Sequence, residues 1–346
     1  MTVPFSRFFG FAMVIVATLL LAGCGGILPK SSSLRAQQSL KPATVSKLTQ
    51  MGSSPGEAMM IRIFKETNEF EVWKRTTAGT FKLFKTYEIC AYSGTLGPKI
   101  KEGDRQAPEG FYDIRPGNMN PNSNYYLSFN TGFPNKFDRA WNRTGSELMV
   151  HGDCSSRGCY SMTDEAIAEI YALARESFAG GNSVIQMQIF PFRMTPKKLA
   201  VHAKNPHFEF WMNIKEGYDR FELARTPPSW DVCEKKYVFA LSGPGGATLE
   251  AAGACPARGS DPLLTALQAR QAADTAQLEI EVAAIDARET KAAAAAEAEA
   301  AAKAAAKARG EAVGGFLSGL WGGGEAPPAE TAPADAPAPL PAPARG

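Results

Sequence analysis

The sequence is short of several things, and each shortage excludes a class. Charge of one sign is missing, since 37 Lys and Arg stand against 35 Asp and Glu in 346 residues, a formal net charge of +2. No long Lys/Arg run supplies a phosphate-binding stripe, so no nucleic-acid partner is expected. Histidine is scarce, with three in the chain. There is no CxxC pair, and a zinc site built on His151, Cys154 and Cys159 would lack a fourth ligand. Neither metal nor cofactor is expected. Paired carboxylates suited to sugar cleavage are also missing, because Asp104 and Glu109, like Asp153 and Glu147, are scattered over loops and strands. No repeat of domain size is visible.

One apolar run stands out. It follows Arg7, extends from Phe8 to Ala22, and closes on Leu21-Ala22-Gly23-Cys24. It falls short of the roughly 20 residues needed to cross a bilayer core. The closing tetrad resembles the lipobox of a bacterial lipoprotein signal peptide. That resemblance implies loss of residues 1–23, lipidation of Cys24, and a membrane anchor of several acyl chains. The expected location is the cell envelope, facing the periplasm. Gly25 is unlike an Asp retention signal, which favours the outer membrane over the inner.

Five cysteines follow Cys24: Cys90, Cys154, Cys159, Cys233 and Cys255. Disulfides persist in an exported chain, and an odd number leaves at least one thiol unpaired, the mark of a candidate reactive cysteine. The bland alternative is a Cys154–Cys159 bridge. Pairing among Cys90, Cys154, Cys233 and Cys255 stays open.

Residues 24–57 are rich in Ser, Lys, Gln and Pro and read as a flexible tether. From residue 58 alternation takes over: Met60 to Phe64 and Phe70 to Trp73 flank a polar turn, and Phe81 to Tyr87 continues the pattern. Further strands are expected at Gly110 to Ile114, Tyr125 to Phe129, Glu147 to Val150 and Val184 to Phe190. A helix is expected from Thr163 to Ala179, capped by Thr163, started by Asp164 and Glu165, and stopped by Gly180-Gly181. Its apolar positions are Ile167, Ile170, Tyr171 and Leu173 or Ala174. The fold class is therefore mainly β (α+β), an antiparallel β-sandwich with a helix after Cys159. Residues 196–260 form an extension packing on the 58–195 domain, helical or mixed over 199–222. Residues 261–313 form a long Ala-rich helix, and 314–346 a Gly then Pro/Ala-rich disordered tail.

The chemistry concentrates in Val150-His151-Gly152-Asp153-Cys154-Ser155-Ser156-Arg157-Gly158-Cys159-Tyr160. A cysteine attacks as thiolate, and a neighbouring imidazole can take its proton. Cys159 is the candidate nucleophile and His151, at a strand end, its base. Gly158 lets backbone approach closely, so N–H groups of Gly158 and Tyr160 could form an oxyanion hole. His202 and His207 lie outside this stretch and read as ordinary histidines.

This stretch resembles the catalytic motif of the L,D-transpeptidase (YkuD) family, in which a His-Gly pair precedes Ser-His-Gly-Cys. Here His151-Gly152 and Ser156-Arg157-Gly158-Cys159 stand in those positions. Ala107-Pro108-Glu109-Gly110-Phe111-Tyr112-Asp113-Ile114 is similar to the family's Pro-x-Gly segment. Tyr126 to Phe129, Phe133-Pro134-Asn135 and Asp138-Arg139 fit the strand and loop before the His. The likeness is closest to the YafK-like branch. Two departures stand out: seven residues separate His151 from Cys159, a shortened loop, and Arg157 replaces the motif's second His. A fixed guanidinium there could bind a substrate carboxylate or favour the thiolate.

The resemblance implies that Cys159 attacks the carbonyl at the L-centre of diaminopimelate in a peptidoglycan stem peptide, giving an acyl-enzyme. Gly152, Ser156, Arg157 and Arg139 are the substrate-binding candidates. Resolution by an amine is transpeptidation. Resolution by water is hydrolysis, with the link to a wall-attached lipoprotein as the alternative substrate. A non-catalytic envelope tether is the remaining reading.

Overall fold

The structure is a computed structural model that describes residues 31–321 except Arg157. The expected signal peptide, Cys24, Arg157 and residues 322–346 of the expected tail lie outside the described residues.

Two short helices come first, α1 (Ser31–Ala36) and α2 (Pro42–Gln50). Within residues 31–50 they correct the expectation of a flexible tether, whose first residues, 24–30, lie outside the described residues. Pro42 sits at the start of α2, where its missing N–H costs nothing, and Leu48 is fully buried in the main core. Thr44 also donates a hydrogen bond to Glu169. Two apolar anchors and one polar one hold a segment whose composition alone carries no helical period, since Ala36 is buried as well.

Strands β1 (Met59–Phe64), β2 (Glu69–Arg75) and β3 (Phe81–Glu88) form an antiparallel meander. Then come β4 (Ala91–Tyr92), β5 (Gly110–Ile114), β6 (Met119–Asn120), β7 (Ser128–Asn130), the helix α3 (Lys136–Ala140), β8 (Met149–His151) and β9 (Tyr160–Ser161). Helix α4 (Asp164–Ala179) follows directly, and β10 (Ile185–Phe190) returns the chain to the first sheet. The first sheet runs β3-β2-β1-β10-β5 and the second β4-β9-β8-β7-β6. Each is mostly antiparallel with one parallel pair, β1 with β10 and β8 with β9.

The main core contains Ile61, Val72 and Met187 from the first sheet, Phe129, Val150 and Tyr160 from the second, and Ile167, Ile170 and Leu173 from α4. Thr163 caps α4 by accepting a hydrogen bond from the Ala166 N–H at 3.1 Å. All the apolar positions expected to face inward on this helix are buried.

The extension adds α5 (Pro196–Val201), α6 (Phe208–Ala224) and the hairpin β11 (Trp230–Cys233) with β12 (Lys236–Phe239). The break between the two helices covers Asn205-Pro206, where the residue before proline is turned from helical geometry. These elements build a second apolar cluster in which Trp211, Ile214, Val232 and Phe239 meet Phe64, Phe111 and Phe190. Gly217 makes this possible, since a Cβ there would lie 2.4 Å from the Phe111 ring and 2.5 Å from that of Phe239.

The last helix, α7 (Leu264–Trp321), begins at Leu264 rather than at residue 261 and runs past 313, through Gly314 and Gly315. That corrects the expected start of the tail. Each glycine weakens a helix by about 1 kcal/mol relative to alanine. Chain contacts divide the molecule into two units, ending at Ala283 and starting at Ala284. Within the first, Asp274 pairs with Lys215 at 2.6 Å and Arg270 with Asp219 at 2.8 Å. Within the second, the described residues form exposed helix with an (i, i+4) pair, Lys303 with Glu299 at 2.6 Å. No helix among the described residues is long and apolar enough to cross a membrane.

Candidate active site

Strand β8 ends on His151, which is 3 % exposed. On one side it pairs with Ser128 of β7 and on the other with Ser161 of β9. Its Nδ1 lies 2.5 Å from the Gly152 carbonyl oxygen. A carbonyl can only accept, so Nδ1 carries the proton and Nε2 presents a lone pair, the tautomer a general base needs. The Tyr125 ring flanks the imidazole at 4.8 Å. Burial pulls the imidazole below its ordinary basicity, against the smaller upward pull of the Gly152 bond and Asp153.

The loop from His151 to Cys159 is short and turns through left-handed backbone at Asp153 (φ +68°) and Cys154 (φ +35°). Gly158, at φ +117°, takes a conformation that side chains disfavour, which is why glycine precedes Cys159. A Cys90–Cys154 disulfide ties the loop to the residue before β4, and Cys233–Cys255 closes the extension. Cys159 is the free cysteine among the described residues. The open pairing and the bland Cys154–Cys159 alternative are both resolved by this arrangement.

The Cys159 Sγ accepts from the Met149 N–H at 3.4 Å and lies 3.7 Å from the Glu147 carbonyl oxygen, to which the thiol donates. Burial pushes the thiol up, the Met149 N–H and Lys99 draw it down, and Glu147 pushes it up again. The lowered imidazole and the raised thiol both favour the neutral forms over an ion pair.

Both side chains line one pocket of about 480 Å³. Ser156 lines it too, but its hydroxyl donates to the Cys159 carbonyl at 2.6 Å and accepts from the Gly158 N–H at 3.4 Å. Tyr160, Gly152 and Arg139 are not among the described residues that line it. Tyr160 is wholly buried and its hydroxyl donates to the Pro108 carbonyl at 2.7 Å, so its side chain serves the core. Gly152 is a packing glycine: its N–H donates to the Tyr125 carbonyl at 3.0 Å, and a Cβ there would lie 2.5 Å from Asp164 Oδ1. Arg139 is on α3, where its guanidinium donates to the Pro134 carbonyl, and it is not among the pocket's lining residues. An arginine two residues after an aromatic helix position carried no sign of which way it would turn.

Sequence reasoning missed Asn120, Ser123, Asn124, Tyr125, Ser128, Glu147 and Met149, which also line the pocket. Isolated residues in turns and at strand ends carry no motif. Only cross-strand register collects them. His202 stacks on Phe192 at 4.6 Å, and the His207 ring packs against Gly97.

Comparison with known proteins gives four matches. Residues 55–185 match the family model of the L,D-transpeptidase catalytic domain, YkuD. YafK, a candidate L,D-transpeptidase of Escherichia coli K12, is 38 % identical over 229 residues, which cover 65 % of this chain and 89 % of YafK. The helical cell shape determining protein Pgp2 of Campylobacter jejuni (K307A mutant) is 20 % identical at a TM-score of 0.31, covering 47 % of this chain and 56 % of Pgp2. Bd1075 of Bdellovibrio bacteriovorus is 25 % identical at a TM-score of 0.29, covering 39 % of this chain and 49 % of Bd1075. With a family model matched across both sheets and most of YafK's length aligned, this chain belongs to the L,D-transpeptidase family.

Proposed function

We propose that the protein is a cysteine acyl-transfer enzyme of cell-wall remodelling that acts on peptidoglycan stem peptides, with Cys159 as nucleophile and His151 as base. The observation that carries this reading is the free thiol of Cys159 in the same pocket as a histidine whose Nε2 is left unprotonated. In the first half-reaction His151 Nε2 takes the thiol proton as Sγ attacks the carbonyl at the L-centre of diaminopimelate. The Met149 N–H, already directed at Sγ, stabilises the thiolate. The negative oxygen of the tetrahedral intermediate falls to backbone N–H groups at Gly158 and Tyr160, and the Gly158 N–H exchanges its long bond to Ser156 for that oxygen. The carbon–nitrogen bond then breaks, and the imidazolium returns its proton to the leaving amine. In the second half-reaction an amine or water, deprotonated by His151, attacks the thioester and frees the thiol.

Transpeptidation is the leading outcome, given the family. Hydrolysis of the link to a wall-attached lipoprotein differs in the leaving group, the linked protein, and in the resolving nucleophile, water. The lipid anchor at Cys24 would hold the enzyme at a membrane facing the wall. The test is incubation with a disaccharide tetrapeptide and, separately, with a lipoprotein-linked muropeptide, followed by mass analysis of the products. Turnover is expected to fall more than about a thousandfold in Cys159→Ala and in His151→Ala. Products unchanged by Cys159→Ala would overturn the reading. New diaminopimelate–diaminopimelate crosslinks identify a transpeptidase, and release without crosslinks a hydrolase.

A further inference from the structure

Ser128 opens strand β7 and pairs directly with His151 of β8. Residues opposite each other on adjacent strands place their side chains on the same sheet face. The alternation fixes which face this is. Phe129 and its partner Val150 point into the main core, so Ser128 and His151 point the other way, and both line the catalytic pocket. Ser128 is 1 % exposed, and its buried Oγ has no hydrogen-bond partner among the described residues.

A buried hydroxyl without a partner is unfavourable, and alanine in its place would remove the penalty without disturbing the strand. The imidazole does not satisfy it. Nδ1 of His151 is engaged with the Gly152 carbonyl, and no bond joins Ser128 Oγ to Nε2. Pocket hydroxyls are satisfied by what binds there.

We propose that the Ser128 hydroxyl is a substrate-binding group that donates a hydrogen bond to an oxygen of the residue lost on acylation. This inference rests on the acyl-transfer reading above and deepens it. In that reaction the imidazolium must hand its proton to the leaving amine, so the leaving residue lies against His151. Ser128 is the cross-strand neighbour of His151 on the pocket face and therefore meets the leaving residue rather than the acyl part. The ligand chemistry is an amine-bearing residue with a carbonyl or carboxylate oxygen close to its nitrogen. A terminal amino acid of a stem peptide, which leaves through its α-amine, has that chemistry, whereas a protein linked through a side-chain amine holds its carboxylate farther from the leaving nitrogen.

The test uses the full chain carrying Cys159→Ala, which binds without turnover, with a disaccharide tetrapeptide that retains the leaving residue and a tripeptide that lacks it. Adding Ser128→Ala is expected to weaken the tetrapeptide about tenfold and the tripeptide less than about twofold. Adding Ser128→Thr, which keeps the hydroxyl, should restore most of the difference and separates this effect from a fault in folding. In the parent enzyme, Ser128→Ala should leave the pH dependence of Cys159 alkylation where it was. A shifted pH profile would make Ser128 a positioning residue for His151 and overturn the proposal. Equal weakening of both peptides, or of neither, would also overturn it while leaving the acyl-transfer reading intact. If Cys159→Ala alone binds neither tetrapeptide nor lipoprotein-linked peptide, both readings fall together.

Discussion

In the free enzyme at neutral pH Cys159 is held as a thiol, because burial and the nearby Glu147 outweigh the Met149 N–H and Lys99. Its partner His151 is held neutral by burial. The signs give two pH limbs. A lowered imidazole remains a base below its ordinary value of about 6.5, so the acid limb of turnover should lie below that value. A raised thiol makes alkylation by iodoacetamide climb about tenfold per pH unit through neutrality and into the alkaline range. A flat rate between pH 5 and 8 would instead indicate a resting thiolate–imidazolium pair, against this account. Cys159 and His151 were legible in the sequence because the odd cysteine count and the His-Gly and Gly-Cys pairs are local. Ser128, Glu147 and Met149 were not, since a serine at a strand end acquires a role only from the residue opposite it.

Among the elements, the loop from Gly152 to Gly158 bears most on function. It places two non-glycine residues in left-handed backbone. The Cys90–Cys154 disulfide and the Asp153 N–H bond to Asp164 Oδ1 at 3.0 Å hold it. Replacing both cysteines by serine is expected to reduce unfolding stability by about 2–4 kcal/mol. It should also lower turnover about tenfold with the Cys159 thiol still present, because a small displacement of a reacting atom is costly. Denaturant melts and thiol counts check both, and an unchanged melt with full turnover would contradict the clamp. Helix α4 was readable to its caps, since Thr163, Asp164 and Gly180 announce both ends. The first hairpin was readable from its alternation. Helix α2 was hidden because its burial depends on Leu48 and Thr44 meeting α4 and the sheets, which no local period displays. The parallel β1–β10 pairing is a matter of long-range topology.

At the scale of the molecule, the segment that matches the family model ends at residue 185, but its packing does not. Phe111 and Phe190 are covered by Trp211, Tyr218, Tyr237 and Phe239 of the extension. Trp211 also donates to Glu109 at 2.8 Å, and Glu109 is buried in an ion pair with Lys65 at 2.9 Å. Trp211→Ala should therefore cost at least about 3–5 kcal/mol in a denaturant melt, since it opens a cavity and strips a buried carboxylate of a donor. A chain ended after Ala283 keeps the contacts of Arg270 and Asp274 and should melt and turn over like the full chain. Loss of turnover in that truncation would mean that the second unit takes part in the chemistry. The proposed acyl transfer requires a thioester on Cys159, and the mass of the intact full chain during turnover of a disaccharide tetrapeptide reveals it. An adduct equal to the acyl donor minus its leaving residue is expected, released by hydroxylamine and absent in Cys159→Ala. No adduct in the active enzyme under rapid acid quench, or the same adduct in Cys159→Ala, would contradict it.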